Sequence, residues 1–195
     1  RPAPAGPPLR ADVALHQPPQ PANTHRLRLP PAQCSDRDRD ALVAYGRIGQ
    51  EGLEQVFDAR KIDERQLNDL FEKVGFPRRN PTRLRCALDY TFALVGLKDR
   101  ATGELVGFAR ATSDGGTTAT IWDVVIHPLK QGRGLGRALV EVLVDALTRR
   151  GIPVINLYAE PHVISFYTPM GFVVDPNSKS MAYTASRPPS TFKVW

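Results

Sequence analysis

The sequence predicts an α/β domain with a mixed β-sheet and helices on its faces. Short apolar runs rich in β-branched residues alternate along the chain with amphipathic segments of helical period. Two of the runs, at 91–98 and 104–113, are joined by a loop typical of a hairpin. Two others, at 118–126 and 154–158, are separated by a helical segment. A hairpin together with a strand–helix–strand unit predicts a mixed sheet.

The first predicted elements are a short helix over residues 35–44, with a serine as its N-cap, and a strand over residues 53–59. Asp63, followed three residues later by a glutamine, has the signature of a helix start. This helix is expected to run to Val74, because a glycine and then a proline follow. Pro81, preceded by an asparagine, begins the next helix, since proline suits the first helical position.

The second half of the domain continues the alternation. An Asp-Gly-Gly turn leads into the strand at 118–126, and Gly151 ends the helix that follows that strand. The elements predicted after residue 90 are, in chain order, strands at 91–98, 104–113 and 118–126, a helix at 136–150, a strand at 154–158, a helix at 161–168, and final strands at 172–174 and 180–184.

Composition and charge limit the classes of function. The chain has 195 residues, a net charge of +6 and two cysteines, Cys34 and Cys86, that form no Cys-x-x-Cys pair. No apolar run approaches the length of a membrane span, so we expect no membrane insertion. The histidines show no ligand spacing, so we expect no metal. No basic helix with interleaved aromatic residues indicates nucleic-acid binding.

Composition also divides the chain into three parts. Residues 1–34 are predicted to be a disordered, proline-rich leader, because nine of the 18 prolines fall in residues 1–31. This leader has arginines and a single acid, which suggests the end of an organelle transit peptide; a trimmed linker is the alternative. Residues 35–185 are the predicted folded domain, and residues 186–195 are a C-terminal tail.

Residues 131–136 read Gln-Gly-Arg-Gly-Leu-Gly and lie between a strand and a helix. Backbone N–H groups at a helix start lack intrahelical partners, and the helix dipole adds partial positive charge there. Glycines let a phosphate approach the backbone closely. Arg133 and Arg137 add full charges that can fork onto phosphate oxygens. This loop is therefore a predicted phosphate site.

Three nucleotide-binding motifs compete for the loop. A Walker A motif requires lysine followed by serine or threonine, which is missing here, and a Rossmann fingerprint requires a different spacing of glycines. The third motif, Gln/Arg-x-x-Gly-x-Gly/Ala, fits Gln131, Gly134 and Gly136. A plain glycine-rich turn is the alternative to all three.

A second motif lies about 30 residues downstream. Phe166 and Tyr167 form an aromatic pair on a predicted short helix, and Gly171 and Phe172 follow it. With the glycine loop before it, this arrangement resembles the GNAT superfamily of acetyltransferases.

Residues 67–79 and 120–125 closely resemble the plastid-targeted GNAT enzymes of plants and algae, which include serotonin N-acetyltransferases and plastid protein acetyltransferases. The resemblance covers roughly residues 54–184. It implies the GNAT acyltransferase fold, whose central mixed sheet is splayed between its fourth and fifth strands and flanked by helices.

The resemblance also implies how acetyl-CoA binds. Its pantetheine arm is expected between the fourth and fifth strands, and its pyrophosphate is expected on the glycine loop. A backbone N–H of the fourth strand would polarise the thioester carbonyl. The residues expected to bind acetyl-CoA are Val124, Val125, Ile126, Gln131, Gly132, Arg133, Gly134, Leu135, Gly136, Arg137, Phe166 and Tyr167.

Two residues are candidates for chemistry. Tyr167 matches the family's general acid, whose phenol protonates the departing thiolate; packing in the core is the alternative. Asp123 lies inside an apolar strand, which is costly unless the carboxylate is paired or faces a wet cleft. It is expected either to accept a proton from the amine or hold its ammonium form, or to be a hydrogen-bonded structural residue. Regular alternation would place Ile121, Asp123 and Val125 on one face of the strand.

The resulting functional hypothesis is an acetyl-CoA-dependent N-acetyltransferase that transfers directly to a primary amine in a ternary complex. The acceptor is expected to be an arylalkylamine such as serotonin, a protein lysine or N-terminal amine, or both. Trp122 and Phe108 are candidates for an aromatic acceptor slot. A catalytically silent acyl-CoA-binding module is the alternative. We expect a monomer or homodimer in the plastid stroma.

Overall fold

The computed structural model describes residue 44 and residues 46–175. Five strands form one sheet: β1 (Leu53–Val56), β2 (Ala93–Asp99), β3 (Leu105–Ser113), β4 (Thr118–Ile126) and β5 (Val154–Leu157). Within the described residues, Ala44 and residues 46–50 are helical, and four further α-helices follow: α1 (Glu64–Lys73), α2 (Pro81–Asp89), α3 (Leu135–Thr148) and α4 (Ile164–Tyr167). The strand order is β1-β2-β3-β4-β5, antiparallel from β1 to β4 and parallel between β4 and β5. The predicted α/β fold with a mixed sheet is confirmed.

The helices that precede β2 begin where their caps predict. The Asp63 carboxylate accepts hydrogen bonds from the backbone N–H groups of Arg65 and Gln66, at 2.8 and 2.9 Å. The Asn80 side chain accepts one from the N–H of Arg83 at 3.1 Å, with proline in the first turn. These acceptors satisfy donors that have no partner within the helix.

The sheet is covered on both faces. One face packs against α3, whose apolar side, centred on Leu139 and Leu143, is fully buried together with Ile48. The other face packs against α1 and α2 through Phe71 and Leu88. The two hydrophobic cores therefore lie on opposite sides of the sheet; β1 to β4 contribute to both, and β5 contributes to the core under α3.

A β-bulge interrupts β4. Trp122 lies opposite Arg110 and Val125 lies opposite Phe108, so two residues of β4 face a single residue of β3. Asp123 is one of these two, and its φ of 58° is the only positive φ among non-glycine residues of the described ranges. A bulge of this kind changes the direction of the strand and raises its local twist.

The bulge makes the predicted alternation wrong. Ile121 packs in the core under α3, whereas Val125 packs in the core under α1 and α2. The inserted residue shifts the phase of alternation. The side chain two residues before Asp123 and the side chain two residues after it therefore point to opposite faces of the sheet. Val124 and Ile126 pack on the α3 side.

Two predicted elements differ from the structure. The strand expected at 53–59 ends at Val56, because Asp58 caps a short 3₁₀ turn and accepts from the N–H of Arg60 at 3.0 Å. The strand expected at 172–174 is irregular, and Val173 is 90% exposed, with no strand of the described part covering it. The leader (1–34), most of the helix at 35–44, the strand at 180–184 and the tail (186–195) lie outside the described residues.

Candidate active site

A cleft opens where β4 and β5 separate. The two strands pair only from Thr118 with Val154 to Ile121 with Leu157, although β4 continues for five more residues. The cleft has a volume of about 500 Å³. Its lining comprises Val74, Phe76, Ile121, Trp122, Asp123, Val124, Val125, Ile126, Gln131, Leu157, Tyr158, Glu160, His162, Val163 and Tyr167. It therefore brings the end of β4, the start of the glycine loop and Tyr167 together.

The glycine loop forms the N-terminal cap of α3. Gly132 and Gly134 have φ values of 75° and 73°, in the left-handed region where a side chain is strained. Gly134 is the N-cap residue and supplies no side-chain hydrogen bond to the helix. Gln131 donates from Nε2 to the carbonyl oxygen of Ile126 at 2.9 Å, which ties the loop to the end of β4. The first N–H groups of α3, which no side chain of the N-cap satisfies, are therefore suited to an anion.

The two arginines of the loop are ion-paired at the surface. Arg133 contacts Glu51 at 3.0 Å, and Arg137 contacts Glu141 at 2.6 Å. Their side chains are about half exposed, and such exposed ion pairs contribute little to stability. Leu135 is buried, which leaves its backbone as the part of that residue that can face a ligand.

Tyr167 lines the same cleft as Gln131, the first residue of the loop. Its ring makes edge contacts with Phe166 and Phe172, at centroid distances of 4.9 and 5.8 Å. Burial raises the pKa of the Tyr167 phenol above its ordinary value, so the group is protonated at neutral pH. Phe166 packs at Gly136, where an added Cβ would lie 3.4 Å from the Phe166 ring. The short helix α4 is thereby held against the start of α3.

The β4 residues predicted to bind acetyl-CoA bury most of their side chains in the cores. Val125 is 4% exposed and Ile126 is 8% exposed, while Val124 is half-buried. Their contribution to the cleft can therefore come mainly from N–H and C=O groups, which no β5 residue pairs beyond Leu157. The Ile126 carbonyl already accepts from Gln131, so an extended chain placed in the cleft could pair with those of the remaining groups that do not face β3.

Asp123 is held by two arginines. Its carboxylate accepts from Arg79 Nη2 at 2.5 Å and Nη1 at 2.9 Å, and from Arg110 Nε at 2.6 Å. The Asp123 side chain is only 2% exposed. Burial alone would raise the pKa of this carboxyl, but the hydrogen bonds and charges of Arg79 and Arg110 hold it below its ordinary value. Asp123 is therefore an ionised, doubly paired group at neutral pH.

Sequence reasoning did not find the two arginines. A signal existed for Arg110, since it is a lone base inside an apolar strand just as Asp123 is a lone acid, and the two strands were predicted neighbours. For Arg79 no local signal existed, because its contact with β4 spans 44 positions of sequence.

The aromatic slot is only partly as predicted. Phe108 is fully buried in the core under α1 and α2 and cannot line the cleft, because it faces Val125 across the bulge. Trp122 does line the cleft, and its ring lies 5.4 Å from that of the exposed Tyr158. At the same rim Glu160 contacts His162 at 3.3 Å.

Comparison with known proteins assigns the chain to a family. Residues 56–172 match the acetyltransferase (GNAT) family. The chain belongs to the GNAT acetyltransferases. It is 43% identical over 158 residues to GCN5-related N-acetyltransferase 1, chloroplastic, of Arabidopsis thaliana, covering 80% of this chain and 76% of that protein. It is 48% identical over 130 residues to serotonin N-acetyltransferase 2, chloroplastic, of Oryza sativa subsp. japonica, covering 65% of this chain and 64% of that protein.

Solved structures agree on the fold. A probable acetyltransferase of unknown function from methicillin-resistant Staphylococcus aureus matches with a TM-score of 0.60 at 21% identity, covering 68% of this chain and 98% of that one. The fold and the relatives together confirm the predicted GNAT N-acetyltransferase. GNAT acetyltransferases use acetyl-CoA, and the left-handed glycines, the helix start without a side-chain cap and the two arginines of the loop fit its pyrophosphate.

Two further expectations concern the described residues only. No helix within 44–175 is long and apolar enough to cross a membrane. The same part of the chain brings together no group of three or more His, Cys, Asp and Glu side chains suited to a metal ion. That no metal takes part remains a prediction.

Proposed function

We propose that this GNAT enzyme transfers the acetyl group of acetyl-CoA directly to a primary amine bound in the cleft between β4 and β5. The observation that carries the proposal is the single cleft lined by the unpaired end of β4, the start of the glycine loop and Tyr167. In this proposal the loop residues 131–137 hold the pyrophosphate, and the backbone of residues 124–126 pairs with the pantetheine arm. Phe166 supports Tyr167 from the side of α3.

The chemistry assigned to this cleft is an acyl transfer without a covalent enzyme intermediate. The neutral amine attacks the thioester carbonyl carbon, forming a C–N bond, while a backbone N–H of β4 stabilises the charge that develops on the carbonyl oxygen. The C–S bond then breaks, and Tyr167 donates its proton to the departing sulfur. The amine loses one proton to solvent, and solvent reprotonates the tyrosine.

The acceptor is proposed to be an arylalkylamine such as serotonin, a lysine or N-terminal amine of a protein, or both. Trp122, Tyr158 and Phe76 line the cleft, and the rings of Trp122 and Tyr158 lie 5.4 Å apart, which suits an aryl group. The Glu160 carboxylate at the rim would attract an ammonium group. The chloroplast relatives support a plastid location, which we propose to be the stroma.

The proposal is tested by an acceptor screen that measures free thiol released from acetyl-CoA. Serotonin, tyramine, a polyamine and a lysine-containing peptide are each compared with a reaction lacking amine. We expect amine-dependent thiol release, with saturation in both substrates and intersecting initial-velocity lines that indicate a ternary complex. Two results would contradict direct transfer. One is a rate of thiol release that does not depend on the amine, and the other is parallel initial-velocity lines, which indicate an acyl-enzyme.

A further inference from the structure

The bulge in β4 depends on an aspartate in an unusual backbone conformation. Asp123 adopts a φ of 58°, which few non-glycine residues tolerate, although aspartate is among the more tolerant ones. The strand past this point supplies residues 124–126 to the cleft. A regular strand would send Val125 to the opposite core, so the position of these backbone groups follows from the conformation of Asp123.

The side chain of Asp123 is fixed from two elements. Arg110 reaches it from β3 through Nε, and Arg79 reaches it from the loop between α1 and α2 with both terminal nitrogens. The exposed fractions of these arginine side chains are 13% and 28%. Among the described residues, these two guanidiniums are the charged groups that hydrogen-bond to Asp123. Because two cations share one carboxylate, the carboxylate remains ionised and cannot rotate away without leaving half-buried charges unpaired.

Arg79 is itself fixed by α1. The buried Asn68 side chain donates to the carbonyl oxygen of Arg79 at 3.0 Å and accepts from its N–H at 2.9 Å. The guanidinium lies over the ring of Phe71, 4.5 Å from its centroid. A packed helix thus sets the backbone and the side chain of Arg79 at once.

We propose that Arg79 and Arg110 are positioning residues, which clamp Asp123 in its left-handed conformation and so hold the end of β4 open towards the thioester. This inference rests on the proposed function of the cleft. It assigns Asp123 to the geometry of the bulge and not to proton transfer. Lysine can replace the charge of either arginine but not its planar fork, so lysine variants test the geometry separately from the charge.

The test compares Arg79→Lys and Arg110→Lys with Arg85→Lys. Arg85 is the matched control, because its side chain is also 28% exposed while its hydrogen bonds go to α2 and to residues 59–64. We expect kcat with acetyl-CoA and the best amine to fall about 10- to 100-fold in the first two variants. The limbs of the pH–rate profile should stay where they are in the wild type. The Arg85→Lys variant should have the kcat of the wild type, even if its melting temperature is lower.

Two results would overturn the clamp. One is an unchanged kcat in both arginine variants, with losses of melting temperature like that of Arg85→Lys. The other is a pH–rate limb that moves in the Arg79 and Arg110 variants, because it would show that Asp123 titrates during turnover.

A second measurement separates this inference from the proposed function. Amide hydrogen exchange of residues 123–126 needs no substrate, so it still decides the matter if the wild type acetylates no amine. We expect exchange there on the order of tenfold faster in Arg79→Lys than in Arg85→Lys. Equal exchange rates would refute the clamp even in an active enzyme.

Discussion

Tyr167 is the residue on which the proposed chemistry depends most. Its phenol is protonated at neutral pH because burial raises its pKa, and it lines the cleft without a place in either main hydrophobic core. A protonated phenol at this point can serve a thiolate as it forms. Because the phenol keeps its proton at neutral pH, it is not a candidate for deprotonating the amine.

We expect Tyr167→Phe to lower the single-turnover rate by roughly 10²–10⁴-fold, the usual contribution of a general acid. The dissociation constant of acetyl-CoA should be nearly unchanged, because the ring contacts with Phe166 and Phe172 do not need the hydroxyl. Rapid-quench kinetics and calorimetry measure the two quantities. A wild-type rate constant in the variant would assign the tyrosine to packing.

Asp123 shows how a residue predicted from its chemistry acquires its properties from partners that sequence does not reveal. A lone acid in an apolar strand predicted either a role in proton transfer or a structural pair. The two arginines provide the pair, and the catalytic hypothesis for Asp123 remains a prediction that pH–rate profiles can test.

We expect Asp123→Asn to destabilise the fold by about 3 kcal/mol at pH 7, the lower end of the range for a broken buried ion pair. Because the folded pKa of Asp123 is depressed, its contribution is complete above the unfolded pKa of about 3.9 and is lost as pH falls through the folded pKa. The difference in stability between wild type and variant should therefore shrink in acid. Urea unfolding at pH 7 and pH 3 measures it, and a difference that stays constant would show that the two arginines do not depress this pKa.

At the scale of elements, the glycine loop and the start of α3 act as one unit. The left-handed Gly134 ends the loop and caps the helix, so the phosphate site and the helix N-terminus share one residue. Gly103 has nearly the same φ, 72°, in the loop between β2 and β3, and it does not line the cleft. It offers a substitution with the same backbone strain outside the cleft lining.

We expect Gly134→Leu to raise the dissociation constant of acetyl-CoA at least about tenfold, the loss of one hydrogen bond to a charged group. An added side chain there is strained and also meets the guanidinium of Arg47. The Gly103→Leu variant should lose about as much folding stability as Gly134→Leu but should bind acetyl-CoA with the affinity of the wild type. Titration calorimetry on both variants separates strain from binding, and equal affinities would place the anchor elsewhere.

Most elements could be predicted because their signals are local. The cap at Asp63, the proline at Pro81 and the glycine loop each involve residues within five positions of one another, and the structure confirms the helix starts they predict. The cleft could be predicted only through the family resemblance. The phase shift at Asp123 could not be predicted, because a bulge depends on pairing with β3 and on partners as distant as Arg79.

At the scale of the whole molecule, the cleft joins segments that are far apart in sequence. Residues 121–126, 131 and 157–167 meet in it, and its walls rest on both cores. A ligand that bridges these segments binds only the folded state and so must stabilise all of it.

We expect acetyl-CoA at 100 times its dissociation constant to add about 2.7 kcal/mol to the free energy of unfolding and to raise the melting temperature by several degrees. Acetyl-pantetheine, which lacks the pyrophosphate, should need a much higher concentration for the same shift. Differential scanning calorimetry measures both ligands. An equal response to equal concentrations would show that the glycine loop contributes nothing to binding.

The extra residue in β4 has a consequence for insertions and deletions. Ile121 belongs to one core and Val125 to the other only because Asp123 and Val124 share one place in the ladder. Removing Asp123 would restore a regular strand. Each later side chain of β4 would then point towards the core opposite to the one it now occupies. A regular β4 would therefore place its side chains in the wrong cores. Deletion of the codon for Asp123 should lower the stability of the fold more than any substitution at this position.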